Sequence, residues 1–219
     1  METRIRQLQT ALFDGIPRED FGAMLHCTGY HVGSYRKGQV IILEEEHIYN
    51  IGIVLSGSVD MLQTDIWGDR TLLMRIRENG MFGETFACSD NTRSVVSFAA
   101  AEDSQILFIP FHRIMRTCSM SCEFHHKLIE NMVRIIASKN QDLMRKVEVI
   151  SRKSLREKIL AYLSIQAQGN NARYFQIPLS RSELADYLCA DRSALTRELS
   201  SMRAEGIIDF EKNTFRILS

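Results

Sequence analysis

In SRSELADYLCADRSALTRELSSMRAEGIIDFEKNTFRIL, residues 180–218, a serine is followed three places later by a glutamate, and a short apolar face begins. Ser180 and Glu183 have the spacing of a capping box, in which each side chain satisfies a backbone amide at a helix start. Leu184, Ala185 and Leu188 give that helix its inner face, and the small Ala185 lets a second helix cross closely. Cys189-Ala190-Asp191 is the turn, and Asp191 is placed to cap a second helix from Arg192. Leu195, Leu199 and Met202 face inward on it, while Arg192, Ser193, Thr196 and Arg197 fall on the other side. Gly206 ends this helix, and IIDF and TFRIL read as a β-hairpin wing around Glu211-Lys212-Asn213. The pattern is that of a winged helix-turn-helix, whose second helix enters the major groove with its N-terminal residues against base edges. The alternative reading is two packed helices that expose their arginines.

Upstream, residues 154–168 read as a helix stopped by Gly169-Asn170-Asn171. Residues 120–150 hold no proline or glycine and predict a long helix with an apolar stripe through Leu128, Met132, Ile135, Leu143 and Val147. The stripe suits a two-helix dimer seam or a helix lying on its own domain. Between Tyr30 and Pro110 short β-type runs recur: VIIL at 40–43, IGIVL at 51–55, SVDML at 58–62, RTLLMRI at 70–76, SVVSFAA at 94–100 and QILFI at 105–109. Glycines punctuate them, and Trp67-Gly68-Asp69 is placed as a hairpin tip, so the region reads as a sandwich or barrel. Residues 3–27 read as one helix, with Ile5, Leu8, Leu12 and Phe13 on a face. The fold class is therefore α+β. Residues 1–118 form a sensor barrel with N-terminal helices, 119–150 a dimerisation helix and 151–219 the winged helix-turn-helix.

Composition narrows the function. The chain has 219 residues, 45% hydrophobic and 25% charged, and is neutral overall. Residues 1–150 carry 16 Lys+Arg against 19 Asp+Glu, and residues 151–219 carry 11 against 8. A basic C-terminal unit beside an acidic one suits a nucleic-acid-binding module. No apolar run approaches the ~20 residues that span a bilayer, and METRIRQLQT has no signal-peptide core, so a cytoplasmic protein without a membrane partner is expected. Five cysteines at uneven spacings read as free thiols. Cys118, Cys122, His125 and His126 share helical spacing suited to metal or redox sensing, or equally to a helix start with buried thiols. No Walker A sequence, nucleophile elbow or HExxH motif is present, and neither an enzyme nor a metal site is expected.

The order of barrel, long helix and winged helix-turn-helix resembles the Crp–Fnr family of bacterial transcription regulators. The resemblance rests on Tyr35-Arg36-Lys37-Gly38, Val54-Leu55-Ser56-Gly57-Ser58-Val59 and Gly80-Met81-Phe82-Gly83-Glu84 in the barrel. In the C-terminal part it rests on Arg181-Ser182-Glu183-Leu184-Ala185 and Asp191-Arg192-Ser193-Ala194-Leu195-Thr196-Arg197. It implies a cyclic-nucleotide-binding-like barrel (a double-stranded β-helix) and a homodimer on a palindromic operator of double-stranded DNA. An effector in the barrel would reorient the DNA-binding domains, and RNA polymerase would be a partner if the protein activates. Arg181, Arg192, Ser193, Thr196 and Arg197 become the DNA-contact candidates.

Gly83, Glu84, Thr85, Arg93 and Ser94 become the effector-pocket candidates. In cyclic-nucleotide-binding members a Gly-Glu pair meets the ribose and a later Arg-Ser pair the cyclic phosphate. Gly83-Glu84 matches the first pair. Aligned without gaps from Ala101-Glu102-Asp103-Ser104, however, Ser94 and Val95 fall on the phosphate positions and Arg93 lies one residue early. One residue in a strand reverses the face. A single-residue deletion in the preceding loop would restore Arg93. Glu45 also replaces a glycine common in the family. The sequence therefore predicts a regulator responding to a small effector other than cyclic AMP. The alternative is a cyclic-nucleotide module acting through a protein partner. The iron–sulfur branch of the family uses an N-terminal cysteine cluster, and only Cys27 occurs in the first 80 residues.

Overall fold

The β-branched and aliphatic runs form strands because such side chains pack well on a pleated, half-buried surface. A computed structural model describes residues 8–65, 67–115, 123–170 and 174–218. The chain divides into two units, Met1–Ala137 and Ser138–Ser219. The first holds β1 (His31–Tyr35), β2 (Val40–Ile42), β3 (Asn50–Ser56), β4 (Val59–Thr64), β5 (Arg70–Ile76), β6 (Met81–Phe82), β7 (Ser97–Ala100) and β8 (Ser104–Pro110). They make two four-stranded antiparallel sheets, ordered β1-β8-β3-β6 and β2-β7-β4-β5. Ile51, Ile53 and Val54 of β3 and Ile106, Leu107 and Ile109 of β8 are wholly buried. Burial on both faces explains why these runs read as continuously apolar. Each such side chain stabilises the barrel by ~1.5–3 kcal/mol.

The β4–β5 hairpin turns where expected. Asp65 Oδ1 accepts from the amides of Trp67 and Asp69, both at 2.9 Å, and Trp67 sits exposed at the tip. Three expectations need correction. The N-terminal helix is not continuous. Among the described residues of this stretch, Ala11–Phe13 and Arg18–Asp20 are single 3₁₀ turns, and only α1 (Phe21–Thr28) is α-helical. Gly15, at φ +72°, and Pro17 break the run, although Leu8, Leu12 and Phe13 still enter the core. Residues 1–7, with Ile5, lie outside the described residues. SVVSFAA is strand only from Ser97. Ser94 Oγ donates to the Val96 carbonyl at 2.6 Å and accepts from the Val96 amide at 3.3 Å, a local turn that competes with the ladder.

The third correction concerns the seam. After α2 (Glu84–Ala87) and α3 (Phe111–Met115), the long helix α4 runs Glu123–Ile150. Leu128 and Met132 are 0% and 2% exposed and belong to the barrel's own core, and Ile135 packs against it. Asn131, between them, donates from Nδ2 to the carbonyls of Leu12 and Asp14 at 3.0 and 2.8 Å. Within one chain Leu128 and Met132 are therefore core residues, and Ile135 is partly buried against them. Leu143 and Val147 are exposed.

In the second unit α5 is Leu155–Asn170, continuing through Gly169 rather than stopping before it. The strands β9 (Phe175–Gln176), β10 (Ile208–Glu211) and β11 (Thr214–Ile217) form an antiparallel sheet ordered β10-β11-β9. Against it pack α5, α6 (Arg181–Tyr187) and α7 (Arg192–Ala204), around Ile159, Leu163, Leu184, Leu188, Leu195, Leu199, Met202 and Phe215. Among the described residues no helix is long and apolar enough to cross a membrane.

Candidate nucleic-acid interface and effector barrel

The helix-turn-helix begins with both halves of the capping box formed. Ser180 Oγ accepts from the Glu183 amide at 3.3 Å, and Glu183 Oε2 accepts from the Ser180 amide at 2.8 Å. The turn is made by Cys189, which holds a left-handed φ of +52° without being glycine. Asp191 occupies the N-cap position of α7 with extended backbone, but its side chain makes no cap hydrogen bond. With Leu195, Leu199 and Met202 buried, the opposite face carries Arg192, Ser193, Thr196 and Arg197 into solvent. Among the described residues neither arginine is held by an acidic side chain. Thr196 Oγ1 donates to the Arg192 carbonyl at 2.8 Å, which leaves its oxygen as an acceptor.

Arg181 departs from the group. Its guanidinium lies 4.8 Å from the Phe210 ring centroid and 5.0 Å from that of Phe215, and Nη2 donates to the Lys212 carbonyl at 2.9 Å. Burial pulls its pKa below the ordinary arginine value. The residue, half-buried, joins the start of α6 to the wing. Sequence reasoning also missed Arg156. Its Nε meets Glu198 at 2.6 Å, and its two terminal nitrogens meet the two oxygens of Glu205 at 2.6 Å each. This fork clamps α5 to the far half of α7, behind the exposed face. Its only sequence signal was an arginine near the start of α5, a glutamate on α7 and another just past its end, which do not reveal the pairing.

In the barrel, Gly83 has φ +82°, and a Cβ there would stand 3.3 Å from both the Asn50 carbonyl and Ile48 Cγ2. Glu84 follows it, 4% exposed, with Oε1 accepting from Thr85 Oγ1 at 3.4 Å, while Thr85 itself is exposed. Residues 93–96 alternate exposed, buried, exposed, buried. Ser94, Val96, Phe98, Ala99 and Ala100 are buried. Arg93 points to solvent and pairs with Glu45 Oε2 at 3.0 Å. Glu45 keeps a left-handed φ of +70°, the conformation a glycine would hold there. Its amide donates to the Ser94 carbonyl at 2.8 Å. The Phe98 ring lies tilted against Phe82 with centroids 4.9 Å apart, and Phe82 meets Phe108 edge-on at 6.3 Å. Part of the barrel interior is therefore aromatic.

Of the Cys/His cluster, Cys118 and Cys122 lie outside the described residues. His125 is 1% exposed, its Nε2 3.8 Å from Cys27 Sγ, and burial lowers its pKa. Among the described residues no group of three metal-binding side chains converges.

An antiparallel barrel, a long helix and a winged helix-turn-helix with an exposed Arg/Ser/Thr face define a DNA-binding regulator with a sensor domain. Residues 32–121 match the cyclic nucleotide-binding domain family, and residues 157–219 match the Crp-like helix-turn-helix domain family. The chain belongs to the Crp–Fnr family of transcription regulators. It is 24% identical to the transcriptional activator protein FnrL of Cereibacter sphaeroides over 81% of this chain and 72% of that one. It is 26% identical to a probable transcriptional activator of Rhizobium leguminosarum bv. viciae, over 90% and 91% of the two chains. The fold is shared with the catabolite activator protein of Thermus thermophilus at TM-score 0.56 and 20% identity, covering 95% of this chain and 93% of that one.

Proposed function

We propose that this regulator acts as a homodimer on a palindromic operator, reads bases with Arg192, Ser193, Thr196 and Arg197, and answers to an effector other than cyclic AMP. Within this reading, residues 1–118 sense, 119–150 dimerise and 151–219 bind DNA in the cytoplasm. The chain itself performs no catalysis, and RNA polymerase is its partner if it activates. The carrying observation is the face of α7. Two arginines, a serine and a threonine stand exposed around its first two turns while Leu195 and Leu199 are buried on the other side. An arginine there suits guanine, whose O6 and N7 take two hydrogen bonds from one guanidinium. The Thr196 methyl suits a thymine methyl.

The effector reading follows from charge. A cyclic phosphate is a full anion, and burying it without a cation is prohibitive. The buried positions offer the Ser94 hydroxyl, already donated to Val96, and apolar groups. The nearest arginine in sequence is turned out and engaged by Glu45. A neutral or largely apolar effector fits this lining. Competition binding with single-base operator variants tests the DNA assignment. Arg197→Ala is expected to lose ~1–3 kcal/mol of preference at one base pair per half-site. Unchanged discrimination would place base reading elsewhere.

A further inference from the structure

The turn of the wing is tied down from outside its own hairpin. β10 and β11 pair as far as Glu211 and Thr214, which leaves Lys212-Asn213 as a two-residue turn. Such turns need a positive φ at their first residue. Lys212 supplies it at φ +50°, a conformation that favours glycine or asparagine. Two hydrogen bonds hold the turn. The Ile177 amide donates to the Asn213 carbonyl at 2.9 Å, and Arg181 Nη2 donates to the Lys212 carbonyl at 2.9 Å. The first is backbone to backbone, and any sequence can make it. The second depends on one side chain of the helix-turn-helix. That side chain lies against the Phe210 and Phe215 rings, whose centroids are 5.5 Å apart. Phe210 also takes Arg203 of α7 at 5.4 Å, and Arg203 pairs with Asp209 at 3.0 Å. Arginines from both helices of the motif thus grip the root of the wing.

We infer that Arg181 is a positioning residue, fixing the wing turn so that the Lys212 ammonium meets a DNA backbone phosphate beside α7. The inference rests on the reading of α7 as the base-reading helix. Arg181 Nη1 is buried and, among the described residues, has no hydrogen-bond partner. An apolar side chain would fill the same slot without leaving a polar atom unpaired. What the arginine adds is the bond to the Lys212 carbonyl. With Nη2 given to that carbonyl and Nη1 buried, Arg181 acts through the turn rather than on the phosphate. Lys212 is exposed, and among the described residues its ammonium pairs with no carboxylate. Phosphate contacts set a protein's position on the duplex and carry no sequence information. A loosened wing turn therefore costs affinity and leaves base preference alone. Lysine is no substitute at position 181, because it lacks the planar fork that stacks on a ring while bonding a carbonyl.

The slope of log affinity against log salt tests this, on a duplex that the wild-type full chain selects from a randomised pool. Lys212→Gln is expected to lower that slope by about one, the loss of a single phosphate contact. Arg181→Met, which fills the slot, and Arg181→Lys, which keeps the charge, should each lower it by the same amount. Arg181→Met combined with Lys212→Gln should also lower it by about one, since both act on a single contact. Phe210→Leu, which leaves both charges in place, should lower it too. The preference for the selected bases should hold in every variant. A wild-type slope in Arg181→Lys, or a loss of about two in the double variant, overturns the inference, since Arg181 would then hold a phosphate itself. A wild-type slope in Lys212→Gln or in Phe210→Leu overturns it as well. Wild-type protein that selects no duplex removes the reading of α7 and the wing contact together.

Discussion

Glu45 is a glutamate in a backbone conformation that suits glycine, with φ +70°. Such strain costs on the order of 1–3 kcal/mol. What it gains in return is an exposed ion pair with Arg93, and exposed pairs are worth roughly 0.2–1 kcal/mol. Strain therefore outweighs the pair. Glu45→Gly is expected to raise stability by about 1 kcal/mol or less in denaturant titrations, the gain trimmed by glycine's greater freedom when unfolded. A clear loss of stability would mean that the ion pair dominates. Calorimetry is the second readout at this site. Neither the wild type nor Arg93→Ala should bind cyclic AMP at micromolar concentration. Micromolar binding that disappears in Arg93→Ala would establish Arg93 as the phosphate ligand. Arg181 could not be told from Arg192 in the sequence, since both are arginines at a helix start. Only the Phe210 and Phe215 rings under its guanidinium separate them.

At the scale of elements, the Arg156 fork is expected to hold α7 in place in a pH-dependent way. Its hydrogen bonds keep the Glu205 carboxyl below the usual carboxylate range. A group whose folded pKa is depressed adds stability that is full above its unfolded value and fades as pH falls through the folded one. Glu205→Gln should lower the thermal midpoint at neutral pH, and the difference should close as the pH drops below the ordinary carboxylate range, to about 3. A difference independent of pH would mean that packing, not charge, carries the contact. The core strands, the capping box and the wing were legible because each has a local signature: a β-branched run, a serine–glutamate spacing, two apolar runs around a short turn. β1 was missed because Gly33 and Ser34 dilute its pattern, and β6 because two residues carry none. The burial of Leu128 and Met132 was not legible for a different reason. One helix carries two apolar stripes, and Leu128 and Met132 could not be assigned to a barrel that the sequence does not place in space.

Helix α4 buries Leu128 and Met132 in the barrel and leaves Val133 and Leu143 exposed in one chain, and substitution can separate the two sets. Leu128→Ala and Met132→Ala should each destabilise the barrel by ~2–5 kcal/mol through lost burial and a residual cavity, without dissociating the dimer. Val133→Lys with Leu143→Lys should do the reverse, because both side chains are already exposed in one chain. The consequence for DNA follows from linkage. Two recognition helices on one assembly turn the second half-site into an intramolecular event, which commonly adds 10²–10⁴-fold in apparent affinity with no new contact. Wild-type protein is therefore expected to prefer a full palindrome over a single half-site by about that factor. The Val133→Lys/Leu143→Lys variant should bind both alike, at the half-site affinity, with the Arg197 base preference intact. Gel shifts on the two duplexes at one fixed salt concentration make the comparison, since phosphate contacts alone shift affinity steeply with salt. If the variant kept the full palindrome advantage, α4 would not be what joins the two recognition helices.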